Sequence, residues 1–193
     1  MYTIIPENKN PVLRQIAKIV PVSEIKSARI RDLVADMKKL LSKEEFGVAL
    51  AAPQVGEPLR LFIVSGRALA RGKRNAPDSA KASSGKPDQP TPVAEAEGES
   101  VPDQVYINPE LLKMSRGKSE KHEGCLSIRR QWGKVPRAEK VTVRAHDENG
   151  VRFTRGASGF LAHIFQHELD HLEGILYTDK ATEMYDDPEV QQS

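Results

Sequence analysis

Cysteine is almost absent, with Cys125 the only one in 193 residues. A single thiol excludes an internal disulfide framework and fits a reducing, cytoplasmic setting. Taken alone, such a residue reads first as a small buried hydrophobe. No apolar run approaches the ~20 residues that cross a bilayer. The opening residues, Met1-Tyr2-Thr3-Ile4-Ile5-Pro6, lack the charged-then-apolar layout of a secretion signal. An excess of one charge is missing too. Lys and Arg number 29 against 27 Asp and Glu, a net charge of +2, which argues against strong attraction to nucleic acid or anionic membrane. The length suits one domain with its own core, expected over 1–193.

Residues 71–104 lack large apolar side chains. They contain no Ile, Leu, Met, Phe, Tyr or Trp, and half of them are Pro, Gly, Ser or Ala. Such a stretch buries too little apolar surface to offset its ordering entropy, so a disordered insertion is expected there. Its charges segregate, with Arg71, Lys73, Arg74, Lys81 and Lys86 early and Glu95, Glu97, Glu99 and Asp103 late. Residues 179–193 read as a short acidic tail.

The rest of the chain is patterned. Ile30, Leu33, Val34, Met37 and Leu41 recur at helical spacing within 23–42. Residues 59–64 form an almost continuous apolar run between Pro58 and Gly66, which predicts a buried strand. Residues 105–107 predict a short strand stopped by Asn108-Pro109. Val141, Val143 and Ala145 alternate with polar residues, and Val151 and Phe153 resume the alternation after Asn149-Gly150. That pattern predicts a hairpin whose turn residues both tolerate positive φ. Leu161, Ile164, Phe165, Leu169 and Leu172 predict a helix within 156–173, with Gly174 as its stop. Strands first and the main helix last predict an α+β fold rather than alternating β-α-β units.

That last helix carries His167-Glu168-Leu169-Asp170-His171. Helical residues four apart share a face, so both imidazoles can reach one ion, with Glu168 placed to handle the protons of a nearby water. A catalytic metal usually takes three protein ligands and keeps one open position. His163 is a poor third ligand, because it stands ~12 Å along the axis from His171. Glu183 and Glu189, in the tail, are poor candidates for the downstream Glu of a zincin. Cys125 is the better choice: a divalent metal deprotonates a thiol, and Gly124 allows close backbone approach.

Three segments together resemble peptide deformylases. They are Gly47-Val48-Ala49-Leu50-Ala51-Ala52-Pro53-Gln54, Glu123-Gly124-Cys125-Leu126-Ser127 and Gln166-His167-Glu168-Leu169-Asp170-His171, in the family's order. Val135-Pro136-Arg137-Ala138-Glu139-Lys140-Val141 looks like the family's sequence between the second and third. The resemblance implies mostly antiparallel sheets around a central metal-binding helix, with an N-terminal helix. It implies that Cys125, His167 and His171 bind Fe2+, for which Zn2+, Ni2+ or Co2+ can substitute. Water activated there would remove the formyl group from N-formylmethionyl nascent peptides. Glu168 would act as general base and then acid, and the Gln54 amide and Leu126 N–H would stabilise the oxyanion.

By the same resemblance, Gly47, Val48, Ala49, Leu50, Glu123, Gly124, Phe160 and His163 would line the substrate site. The protein is expected to act as a monomer. Some relatives dock on the ribosome through a basic C-terminal helix, whereas the acidic tail here would be repelled by RNA. Three positions depart from the family pattern: Ala49 stands where Gly is usual, His163 where an aliphatic residue is usual, and Trp132 where many relatives have Arg. Three rival readings of the same residues are a metalloprotease with no role for Cys125, a hydrolase with Cys125 as nucleophile, and an inactive metal-binding module.

Overall fold

The computed structural model describes residues 2–74 and 101–186. In chain order its main elements are α1 (Ala28–Leu41), β1 (Ala49–Ala51), β2 (Leu61–Val64), α2 (Gly66–Arg74), β3 (Gln104–Met114), β4 (Lys118–Cys125), β5 (Ile128–Ala138), β6 (Lys140–His146), β7 (Arg152–Ser158), α3 (Gly159–Leu172) and β8 (Glu183–Asp186). The fold is α+β, as the sequence pattern predicts. One sheet has the order β1-β2-β3-β6-β7 and the other β4-β5-β8, and neighbouring strands are antiparallel throughout.

The two faces of the larger sheet explain why β2 is apolar at every position. Leu61 and Ile63 join Leu50, Val105 and Ile107 in a core with Ile30, Leu33, Val34, Met37 and Leu41 of α1. Phe62 and Val64 point the other way, where Ala49, Ala51, Tyr106, Val141 and Val143 pack with Leu161, Phe165 and Leu169 of α3. A strand covered on both faces needs no polar alternation. Helix α1 starts where Ser27 accepts from the Ile30 N–H at 3.3 Å, an N-cap. Helix α3 stops at Gly174, whose φ of 72° suits glycine.

Several expectations change at their edges. β3 does not stop at Asn108-Pro109 but runs on to Met114. Asn108 takes φ 51° and the register with β6 shifts after Ile107, so the strand absorbs the interruption as a bulge. The Asn108 side chain is held on both sides of Val20, accepting from its N–H at 2.8 Å and donating to its carbonyl at 2.7 Å. In the β6–β7 hairpin only Gly150 has positive φ. Asp147 accepts through Oδ1 from the N–H groups of Asn149 and Val151, so an Asp-braced turn replaces the two-residue form.

Residues 71–74 complete α2 rather than opening an insertion. At the other end Val101 packs against the α3 core, Asp103 accepts from the Gly66 N–H at 2.9 Å, and Gln104 begins β3. Residues 75–100 of the expected insertion lie outside the described residues, as do 187–193 of the tail. Within the tail, Glu183–Asp186 pair with Gln131–Lys134 of β5.

Candidate metal centre

Helix α3 is fixed against both sheets before any ligand is considered. The Phe165 ring sits 5.0 Å from that of Tyr106 and 6.1 Å from that of Phe62. Gln166, in the third motif, accepts from the Ala138 N–H at 2.9 Å and donates back to the Ala138 carbonyl at 2.9 Å. These contacts aim the opposite helix face at the end of β4.

There the donor atoms of Cys125, His167 and His171 all lie within 4.8 Å of one another. Cys125 Sγ is 3.4 Å from His171 Nε2, and Gln54 donates Nε2–H to the same sulfur at 3.4 Å. One sulfur and two imidazole nitrogens suit a borderline first-row divalent ion. Three protein donors leave the open position that catalytic sites keep. Burial holds His171 well below the usual imidazole pKa, so it stays in the neutral form that ligates. Beside the ligands stands Glu168, 4 % exposed, whose Oε2 has no hydrogen-bond partner among the described residues. Burial pushes its pKa up to about 7. A buried carboxylate oxygen left without a donor fits a group that works on water or substrate protons. The residues present therefore fit a divalent metal.

The orientation of His167 comes from behind. Its Nδ1 donates to Glu123 Oε2 at 2.7 Å, which leaves Nε2 for the metal side. Glu123 is itself saturated. Arg137 donates to Oε1 at 2.6 Å and to Oε2 at 2.9 Å, and His163 Nε2 lies 3.0 Å from Oε1. Burial alone would raise the Glu123 pKa, but the hydrogen bonds from Arg137, His163 and His167 outweigh it and hold the carboxyl well below its usual range. Arg137 also reaches Asp170 at 2.6 Å, and Asp170 accepts from Lys180 at 2.6 Å. The face of His167 is covered by Tyr177, stacked at 6.2 Å and 22°.

The structure brings most of the predicted residues to one place, in different roles. Glu123 is engaged by its three cationic or imidazole neighbours rather than facing open space. His163 is its partner and stands edge-on to Phe160 at 6.2 Å. Leu126 occupies the turn between Cys125 and Ile128. β1 lies at the edge of its sheet, paired only with β2 among the described residues, so its other side is open to an added strand. Leu50 points into the α1 core, is fully buried and pairs with Ile63 of β2, so the backbone groups facing that edge are those of Ala49 and Ala51, the Ala51 N–H being taken by Gln54. Ala49 has no positive φ, so its methyl group causes no backbone strain. A Cβ on Gly47 would meet Glu44 Cβ at 2.8 Å, which explains the glycine by packing against the end of α1. Gly124 lies under the Trp132 ring, 3.3 Å from the position of a Cβ. Between the pairs Glu123–Gly133 and Cys125–Ile128, residues 129–132 of β5 bulge outward, with Arg130 at φ 66°.

Arg137, Asp170 and Tyr177 were not singled out from the sequence. The available signal was Arg137 inside Val135-Pro136-Arg137, a basic residue next to an apolar strand position. Its two acidic partners lie 14 and 33 residues away, which local pattern does not reveal.

Comparison with known proteins agrees with this geometry. Residues 2–186 match the sequence model of the family described as polypeptide deformylase. The chain is 36 % identical over 176 residues to peptide deformylase 2 of Clostridium acetobutylicum, covering 91 % of this chain and 93 % of that one. It is 36 % identical over 171 residues to a peptide deformylase of Arabidopsis thaliana whose name places it in chloroplasts and mitochondria, covering 89 % of this chain and 58 % of that one. The crystal structure of the Thermotoga maritima peptide deformylase superposes with a TM-score of 0.71 at 26 % identity, covering 95 % of this chain and 99 % of that one. With the Cys-His-His cluster on β4 and α3, and a family match over nearly the whole described chain, the protein belongs to the polypeptide deformylase family.

Proposed function

We propose that Cys125, His167 and His171 hold one divalent cation, Fe2+ in the cell, at the centre of the deformylase reaction. As a member of its family the chain removes the N-terminal formyl group from newly made polypeptides and releases formate. The observation that carries the metal assignment is the convergence of one sulfur and two imidazoles beside the buried Glu168. Zn2+, Ni2+ and Co2+ suit the same donors. Bound there, the ion supplies Lewis-acid chemistry, lowering the pKa of water and drawing charge from the formyl carbonyl.

The chain's own residues do the rest. Glu168 takes the proton of the attacking water and delivers it to the leaving amine, a double role that favours a pKa near the working pH. Gln54 is held through Oε1, which accepts from the Ala51 N–H at 2.8 Å. Its Nε2 has a second hydrogen for the carbonyl oxygen as that oxygen gains charge. The Leu126 N–H is the other donor. The peptide backbone adds as a strand along Val48, Ala49 and Leu50 at the open edge of β1, which makes recognition largely main-chain. Gly47, Gly124, Phe160 and His163 surround the first side chain, with His163 making that wall polar.

The reading places the chain in a reducing compartment, the cytoplasm, as a monomer. The absence of a disulfide framework around the single Cys125 supports the reducing compartment. Approach to the ribosome, if the nascent chain requires it, would not run through the acidic tail. Equilibrium dialysis against Co2+ tests the metal assignment. One ion should bind per chain, and Cys125→Ala and His171→Ala should each lose it. Retention of the ion by Cys125→Ala would contradict the assignment and favour the metalloprotease reading.

A further inference from the structure

The N-terminal segment crosses between the two loops that carry the carbonyl-facing donors. Ile5 N–H donates to the Gln54 carbonyl at 2.9 Å, and Glu7 N–H to the Ser127 carbonyl at 2.9 Å, next to Leu126. Asn10 completes the brace. It is 3 % exposed, its Nδ2 donates to the Pro53 carbonyl at 2.8 Å, and its Oδ1 accepts from the Val12 N–H at 3.1 Å. Two consecutive carbonyls, those of Pro53 and Gln54, are therefore held by residues 5–10.

Gln54 projects from a short turn, Ala52–Val55, in which all four residues are buried. Its amide is pinned at one end by the Ala51 N–H and directed at Cys125 Sγ at the other. Moving the turn backbone shifts where that amide stands between its two contacts, because the Ala51 N–H fixes only its oxygen end. Hydrogen-bond donors to a developing oxyanion work only when already in place, and a displacement of about 1 Å can cost ~100-fold in rate.

We propose that Asn10 is a positioning residue for oxyanion stabilisation: by holding the Pro53 carbonyl it sets where the Gln54 amide stands relative to Cys125 and the Leu126 N–H. This rests on the oxyanion role of Gln54 proposed above. Asn10→Ser separates the two bonds of Asn10. Serine keeps an acceptor suited to the Val12 N–H but is too short to reach Pro53, which leaves that carbonyl only the bond from the Gly56 N–H at 3.1 Å inside the turn itself.

The test is a double-mutant cycle on the full chain loaded with Ni2+, using formyl-Met-Ala-Ser. Wild type, Asn10→Ser, Gln54→Ala and the double variant are compared for kcat, KM, bound metal and Tm. Gln54→Ala should lower kcat about 100-fold. Asn10→Ser should lower kcat about tenfold with KM within about twofold and one metal per chain, and that effect should vanish in the Gln54→Ala background. An unchanged kcat, or the same loss in both backgrounds, overturns the inference and leaves Asn10 a purely structural residue. If Gln54→Ala keeps full kcat, the oxyanion reading itself fails, and the inference with it. Should Asn10→Ser not fold, Asn10→Asp keeps the Val12 acceptor without a donor for Pro53 and is scored by the same criteria.

Discussion

His167 donates its Nδ1–H to Glu123 at 2.7 Å, and this bond decides which ring nitrogen faces Cys125. A ligating imidazole free to rotate would offer either nitrogen. Fixed from behind by a carboxylate, it offers one, with raised basicity. Glu123 can do this because Arg137 bonds both of its oxygens and His163 approaches Oε1, so the anion stays charged although its side chain is only 1 % exposed.

Glu123→Gln is therefore expected to lower metal affinity about 10–100-fold while leaving all three ligands in place. It also strips the buried Arg137 of one of its two charge partners; because Asp170 remains, the stability loss should stay below the ~3–5 kcal/mol of a fully orphaned buried charge. Competition with a coloured chelator and urea unfolding measure the two effects. Unchanged metal affinity would show that His167 is oriented by something else.

The same carboxylate makes stability depend on pH in a defined direction. Its folded pKa lies well below the ordinary value of 4.5, so below that value the unfolded chain binds a proton that the folded chain resists. The contribution is present above about pH 4.5 and is lost as pH falls. Urea unfolding of metal-free protein between pH 6 and pH 3 should show a steeper loss for wild type than for Glu123→Gln. Parallel curves would contradict this.

Activity should have its own acid limb, set by Glu168. The group accepts a proton from water, so it must be ionised, and burial, with a smaller push from the Glu123 charge, raises its pKa to about 7. A neighbouring cation lowers it from there, so kcat/KM should fall as pH drops through a pKa at or below about 7. Glu168→Gln should lose ~100-fold or more at neutral pH and show no such limb. A limb of the same pKa in Glu168→Gln would assign it to another group.

Much of this was legible in the sequence wherever chemistry is written locally. Helix spacing fixes His167 and His171 on one face, and the need for a third donor selects Cys125. The apolar run at 59–64 marks a strand covered on both sides. Legibility fails where a residue's meaning is set by distant partners. β4 and β5 are polar, bulged and rich in Lys and Arg; β5 buries Ile128 and Val135, but the Glu123–Arg137 pair that joins the two strands is invisible to local pattern. Asn10 reads as a residue before a proline, and only the fold brings it to Pro53. His163, rejected as a third ligand, reads as a pocket wall or a hydrogen-bonded core residue, and only the fold identifies Glu123 as its partner. β3 passes through Asn108-Pro109 because Asn108 exchanges hydrogen bonds with Val20, 88 residues earlier.

The most direct measurement is formate release from formyl-Met-Ala-Ser by protein loaded anaerobically with Fe2+, with Glu168→Ala alongside. Formate from the wild type, and none above background from a variant that still carries one metal per chain, is the expected result. A wild type that holds its metal and releases no formate would contradict the account, as would a Glu168→Ala variant that matches it.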